Sequence, residues 1–181
     1  MTQRVACFTG RFQPFHNQHM EVLSALSQKF DRIIIGVTNP NLNNLQQHAA
    51  SQHRHTDVAN PFSYESRLQI IKASISELPE LDSIEIDIIP FDLTQPDSWA
   101  VPAETVFALR IFSAWEASKL DLFTGQGFEI IELPAPATKL SASDIRQSLG
   151  SDESDWQSLV APGAISTIQQ EWDNATSKVS A

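Results

Sequence analysis

One cysteine stands in 181 residues. No intramolecular disulfide can form, and a thiol inside the apolar run VACF, at Cys7, reads as a small buried hydrophobe in a reducing compartment. Basic residues are also scarce, 12 Lys and Arg against 22 Asp and Glu, which gives a formal net charge of −10 and a pI near 4.8. That balance excludes a surface that tracks a nucleic-acid backbone. Cations that gather around a small phosphorylated ligand must therefore be assembled by folding, against a repulsive general field. Nothing approaches the roughly 20 apolar residues of a membrane span, and MTQRVACFTGRF lacks the apolar core of a signal peptide, so no membrane partner and a cytoplasmic location are expected. Glycine is limited to six residues. Neither G-x-x-x-x-G-K-[ST] nor a G-x-G-x-x-G after the first strand occurs, which removes support for a Walker-type NTPase and for a standard dinucleotide-binding enzyme. Gly125 and Gly127 form a G-x-G ahead of a strand, read as turn punctuation.

The chain's length fits one domain, taken as residues 1–181. Residues 5–9, VACFT, read as a strand buried on both faces. From Asn17, apolar residues Met20, Leu23, Leu26 and Phe30 recur at helical spacing, and RIIIGVT is a second strand rich in β-branched residues. Strand, helix, strand in so short a span is a βαβ unit with parallel pairing. Residues 39–60 carry Asn, Gln and His without a sustained period and read as a long loop, with His53 and His55 either solvated or contacting phosphate. NPFSYESRLQIIKASISEL starts a helix with Ser63 as N-cap and Tyr64, Leu68, Ile71, Ile75 and Leu78 as its stripe. IEIDIIPF is a third strand, and the proline-bearing PFDLTQPDSWAVPAE a loop. TVFAL, RIFSAWEASKLDLF and FEIIEL follow as strand, helix and strand. SASDIRQSLG and PGAISTIQQEW are two further helices, and residues 174–181 are expected to fray. The reading is α/β: an open parallel five-stranded sheet with helices on both faces and a C-terminal helical tail.

The stretch FTGRFQPFHNQHM, residues 8–20, then stands where ligands settle in such sheets, beyond the carboxyl end of the first strand. Thr9 and Gly10 end the strand, Gly10 permits a tight turn, Arg11 offers a forked cation, and Phe12 and Gln13 lead into a helix N-terminus with free amides. His16 and His19, three apart, project from one face of that first turn. As a bare H-x-x-H they could be ordinary surface histidines or a metal pair, but no third ligand lies at zinc-like spacing, so no protein-held metal is expected. The parts together suit a di- or triphosphate.

GRFQPFHNQH resembles the first signature of the HxGH nucleotidylyltransferase superfamily, in particular the archaeal-type nicotinamide mononucleotide (NMN) adenylyltransferases, whose pattern is G-R-x-Q-P-F-H-x-G-H. NPFSYESR resembles that family's [DN]-P-F-[ST]-x-x-E-R segment, IIPFDLTQPDSW its strand and tryptophan-bearing loop, and SASDIR its late S-x-T-x-[IV]-R motif. The resemblance covers most of residues 4–172. It implies a Rossmann-like core over about 4–134, followed by a helical part over about 138–173 that carries the late phosphate-binding motif. Arg11, His16 and His19 would hold the nucleoside triphosphate, with Ser141, Ser143 and Arg146 clamping it from the far side and Thr9, Gly10, Phe12, Gln13 and Gln18 lining the nucleotide. Asn39, Arg67 and Arg110 would face the acceptor, as would Trp99, for which a hydrophobic lid is the other reading of a lone aromatic in a proline-bearing loop. The implied reaction moves an NMP from NTP to a phosphate-bearing acceptor with release of pyrophosphate, with Mg²⁺ carried by the triphosphate; the resemblance also allows a homo-oligomer.

The sequence departs from that pattern at four places. The second signature glycine is Gln18, a side chain that must swing aside, contact the base or obstruct it. The late-motif Thr is Ser143, which keeps the hydroxyl, and E-R is Ser66-Arg67, which loses a carboxylate. Where the archaeal-type enzymes carry S-G-N, this chain has Ala108, Leu109 and Arg110, and Arg110 could serve a different phosphate or phosphonate. Adenylyl transfer to NMN is the best single reading. CTP-dependent cytidylyl transfer to a small phosphonate or alcohol phosphate, and a catalytically silent nucleotide sensor, are the alternatives.

Overall fold

The computed structural model describes residues 3–44, 59–151 and 155–177. Five strands, β1 (Val5–Gly10), β2 (Arg32–Thr38), β3 (Glu85–Phe91), β4 (Val106–Leu109) and β5 (Glu129–Glu132), form one sheet in the order β3-β2-β1-β4-β5. Every pairing is parallel; Phe8, for example, lies between Ile35 and Ala108. Among the described residues the helices are α1 (Asn17–Ser27), α2 (Tyr64–Ile75), α3 (Ala114–Gly125), α4 (Ala142–Leu149) and α5 (Ile165–Ser177), with short 3-10 turns between elements.

Alternation along β1 divides the core. Ala6 and Phe8 join Val22, Leu23 and Leu26 of α1, Ile70 and Ile71 of α2, Ile145 of α4 and Ile168 of α5. Val5 and Cys7 join Phe91, Phe107 and Phe123 of α3. Helices thus cover both faces, as the near-continuous apolar strands require. The chain reverses direction across the sheet between β1 and β4, which makes the carboxyl ends of those two strands the topological switch point. Among the described residues no helix is long and apolar enough to cross a membrane.

Several boundaries shift from the sequence expectation. The helix expected from Arg110 begins at Ala114, where the Ser113 hydroxyl accepts from Trp115 N, so Arg110 and Phe112 belong to the turn after β4. The first helix ends at Ser27 and leaves Phe30 as a buried residue of the following turn. The last helix continues past Trp172 to Ser177, further than the fraying expectation set it. Ser63 does cap α2, accepting from Ser66 N at 3.1 Å. His53 and His55 lie outside the described residues.

Candidate functional site

A cavity of about 380 Å³ opens at the switch point. From β1 and the turn after it come Thr9, Gly10, Arg11, Phe12 and Gln13; from the start of α1, His16, Gln18 and His19; from the late helix and its approach, Ser141, Ser143 and Arg146; from the end of β4, Arg110. Segments more than 120 residues apart in sequence thus converge on one space.

The turn after β1 is built around aromatic packing. Gly10 is not in a left-handed conformation; a Cβ there would lie 2.5 Å from the Phe12 ring, so close approach of that ring is what requires glycine. Phe12 itself takes φ +51°, an uncommon conformation for a bulky residue. It is held there by packing against Phe8 and Phe15. The same three rings box His19, with Phe12 meeting it edge-on at 4.9 Å. His16 stacks on His19 at 3.6 Å between centroids.

Two side chains tie this turn to the NPFSYESR segment. Gln13 Nε2 donates to Phe62 O and Gln13 Oε1 accepts from Phe62 N, both at 2.9 Å. Arg67, fully buried, donates to the carbonyls of Arg11 (2.9 Å), Thr38 (2.6 Å), Asn39 (2.7 Å) and Ser63 (3.2 Å). Burial pushes its pKa down to about 10, which still leaves it charged at neutral pH. Arg11 Nη1 in turn donates to Ala59 O at 3.2 Å and Asn60 Oδ1 at 3.3 Å. On the opposite wall Arg146 Nη1 donates to Gln13 O at 2.7 Å and Nη2 to Ser143 Oγ at 3.0 Å.

The histidines are neutral in this environment. Burial, with Lys139 adding to it, pushes His16 down to about 3; burial, then the neighbouring His16, Arg110, Lys119 and Lys139, holds His19 well below its ordinary value. His19 Nδ1 accepts from His16 N at 3.1 Å, so neutral His19 carries its proton on Nε2 and is a donor there. His16 Nδ1 is buried without a hydrogen-bond partner among the described residues. Such a site can donate hydrogen bonds to phosphate oxygens but has no imidazolium acid in the ligand-free state. Cys7, within β1, packs into the core on the α3 side of the sheet, and burial pushes its thiol up; it is a packing residue.

Gln18 swings aside: its amide donates to Thr138 O at 2.8 Å and accepts from Leu140 N at 2.9 Å. Three residues named from the sequence stand away from the cavity lining. Arg67 and Asn39 lie behind the wall, Asn39 at φ +50° with its carbonyl on Arg67. Trp99 stacks on Phe91 at 4.7 Å, meets Phe123 edge-on at 5.4 Å and donates Nε1 to Asp92 O at 2.6 Å. Among the lining residues the sequence did not single out are Phe112, Trp115, Glu116, Lys119 and Lys139. Lys119 Nζ reaches Thr9 O and Oγ1 at 3.3 and 3.2 Å, and Lys139 pairs with Glu116 at 2.9 Å while lying over the Phe112 ring. A signal was present for Lys119, which shares a helical face with Trp115 and Phe123 at i±4. Glu116 is the one carboxylate among the lining residues, and no cluster of three metal-ligating side chains occurs among the described residues.

The sequence profile of the cytidylyltransferase-like family matches residues 7–148, and the chain belongs to that family. It is 24% identical over 164 residues, 89% of this chain and 88% of the other, to the phosphonoformate cytidylyltransferase of Streptomyces viridochromogenes. It is 29% identical over 170 residues, 91% and 87%, to a nicotinamide-nucleotide adenylyltransferase of Methanospirillum hungatei. Among solved structures, the bifunctional NMN adenylyltransferase/ADP-ribose pyrophosphatase of Francisella tularensis, complexed with AMP and a manganese ion, superposes with a TM-score of 0.60 at 16% identity. That match takes in 99% of this chain, which spans about half, 54%, of the bifunctional protein. A nicotinate-nucleotide adenylyltransferase of Vibrio parahaemolyticus superposes with a TM-score of 0.58 at 17% identity, covering 93% of each chain. These structural likenesses establish the fold; with the family match, the chain is a nucleotidyltransferase.

Proposed function

We propose that this nucleotidyltransferase moves an NMP from a Mg²⁺-bound nucleoside triphosphate to an anionic oxygen of a small phosphate-bearing acceptor. One observation carries the reading: Arg11, His16, His19 and Arg146 line a single cavity at the switch point. The acceptor oxygen attacks the α-phosphorus, a bond to it forms as the bond to the β-phosphate bridging oxygen breaks, and pyrophosphate leaves. An anionic oxygen needs no general base, so the protein's work is alignment and charge neutralisation. Neutral His19 donates through Nε2 to phosphate oxygen, His16 stacks against it, and Arg11 and Arg146 take the charge that builds on the α-phosphate and the leaving group. Ser141 and Ser143 add hydroxyl donors at the start of the late helix. Mg²⁺ carried by the triphosphate would supply further charge neutralisation at the phosphates, while Glu116, the lining carboxylate, stays paired with Lys139.

For the acceptor, Trp99 favours a compact anion. Its ring is engaged by Phe91 and Phe123 and its N–H by Asp92 O, which leaves a pyridine ring no stacking partner from that loop. Arg110, at the end of β4, supplies a buried Nε without a partner among the described residues for a phosphonate or phosphate. Cytidylyl transfer to such an acceptor agrees with the Streptomyces relative. Adenylyl transfer to NMN is the second reading, supported by the archaeal relatives. The deciding assay is pyrophosphate release with Mg²⁺, pairing ATP and CTP each with NMN, nicotinate mononucleotide, phosphonates and alcohol phosphates. Release only with CTP and a small acceptor supports the first reading; release with ATP and a pyridine mononucleotide refutes it in favour of the second. Nucleotide binding without release in any pairing refutes both.

A further inference from the structure

We propose that Gln18 is a positioning residue that locks the segment ahead of α4 onto the first turn of α1, so that the phosphate-binding arm is closed before nucleotide arrives. The inference rests on the reading of this cavity as a nucleoside triphosphate site.

The Gln18 carboxamide donates to Thr138 O at 2.8 Å and accepts from Leu140 N at 2.9 Å. One planar amide thus pairs with the carbonyl and the N–H of residues two apart, as a neighbouring strand would. The residue that carries this amide is itself restrained, because Arg110 Nη1 donates to Gln18 O at 3.2 Å and to Glu21 at 3.0 Å. The clasped segment leads directly into Ser141, Ser143 and Arg146, and Lys139 sits inside it. Other polar ties of the arm include Lys139 to Glu116 and Arg146 to Gln13 O. Those two use cationic groups that face the cavity. Gln18 holds the arm with a neutral amide, leaving the charges to a ligand. A glycine at this position, as in the H-x-G-H pattern, has no group to make either bond. Without the clasp, binding a triphosphate would also have to order the approach to α4, an entropic cost that weakens affinity.

Two variants separate this role from a loss of fold. Gln18→Ala removes both bonds and keeps helix propensity. Gln18→Glu keeps the acceptor for Leu140 N but turns a carboxylate oxygen toward Thr138 O; protonation restores the donor. The charged groups around the clasp are Arg110 and Glu21 on the α1 side, Lys139 and Glu116 on the arm side, and the two buried neutral histidines. The wild-type profile measured alongside removes their contribution and that of the triphosphate.

Hydrogen exchange at the Leu140 amide reads the clasp without ligand, and calorimetry with ATP and with CTP reads its consequence. In Gln18→Ala the amide should exchange faster, and the tighter-binding nucleotide should bind about 10- to 30-fold more weakly, the worth of two ordinary hydrogen bonds. KM should rise by more than kcat falls. Near pH 8 Gln18→Glu should bind at least as weakly as Gln18→Ala, and its deficit against wild type should shrink as pH falls toward the ordinary carboxyl range at about 4. Undiminished protection of Leu140 in Gln18→Ala, unchanged affinity, or a Gln18→Glu affinity that follows the wild-type pH profile would each overturn the proposal. Wild-type protein that binds neither nucleotide overturns the nucleotidyl-transfer reading and the positioning role with it, while Leu140 exchange still reports whether the clasp exists.

Discussion

Arg67 offers the sharpest test of how the site is held. It is fully buried, yet its hydrogen bonds run to backbone carbonyls of three separate segments: the signature turn at Arg11, the end of β2 at Thr38 and Asn39, and the cap of α2 at Ser63. Ser63 O also accepts the helical N–H of Arg67, so three carbonyls depend chiefly on the guanidinium. Leaving a buried acceptor short of its donor costs about 1–2 kcal/mol each, so Arg67→Met should cost about 3–6 kcal/mol. The competing effect is relief of burying a cation, which in some proteins makes a hydrophobic replacement neutral. It loses here because the carbonyls stay behind with no donor of their own. Against a total stability of about 5–15 kcal/mol for a domain of this size, the variant should be barely folded. Arg67→Lys keeps the charge but cannot fork to three oxygens, and should fall between. Urea titration followed by far-ultraviolet dichroism gives both values. An Arg67→Met variant within about 1 kcal/mol of wild type, the range of an ordinary surface substitution, would refute the assignment of Arg67 as the stitch between these segments.

Other outcomes follow from the same geometry. His19→Ala should lower kcat by about 10²- to 10³-fold, as loss of a transition-state hydrogen-bond donor does, with a smaller change in acceptor KM; steady-state kinetics with equal losses in both would contradict the assigned role. Trp99→Ala should cost about 2–4 kcal/mol in denaturant titration and leave acceptor KM unchanged, whereas a rise in KM for a pyridine mononucleotide would support the second reading. The histidines set an acid limit. His16 has a folded pKa near 3, below its unfolded value, so its contribution to stability is fully present above about pH 6.5 and is lost as pH falls toward 3, at up to ~1.4 kcal/mol per pH unit. His16→Asn should flatten that part of the stability–pH profile measured by thermal unfolding.

Much of this was legible in the sequence because the relevant signals are local. The strand VACFT, the H-x-x-H at a helix start and the Ser63 cap each depend on residues within one turn of each other, and periodicity or capping chemistry exposes them. The failures share a different origin. Arg67 sits in a segment read as facing the acceptor, and only folding shows that its guanidinium turns inward to three carbonyls. Trp99 matched a loop tryptophan by position and was also open to a hydrophobic role, and the choice rests on Phe91 and Phe123, which capture its ring across elements that no local pattern links. Lys139 lies two residues before a recognised motif, and its role depends on Glu116 from another helix. Pairings of this kind are set by tertiary packing, and a single sequence carries no period that encodes them.

The same distinction explains how an acidic chain assembles a site for an anion. At the far end of the sheet Arg32 lies between Glu85 and Asp87, its charge largely cancelled. At the switch point Arg146 is oriented by Gln13 O and the Ser143 hydroxyl. These neutral oxygens fix its direction without subtracting its charge, and burial alone lowers its pKa. Arg67 is held by carbonyls in the same way one layer behind. A cation aimed by dipoles keeps most of its field for a ligand, and inside a partly dry cavity that field acts at closer to full strength than at the surface. The net charge of −10 then works in favour of selectivity. Stray anions are repelled from the surface at large, and the proposed Mg²⁺-bound triphosphate, its charge partly neutralised in advance, would meet guanidinium groups already aimed into the cavity.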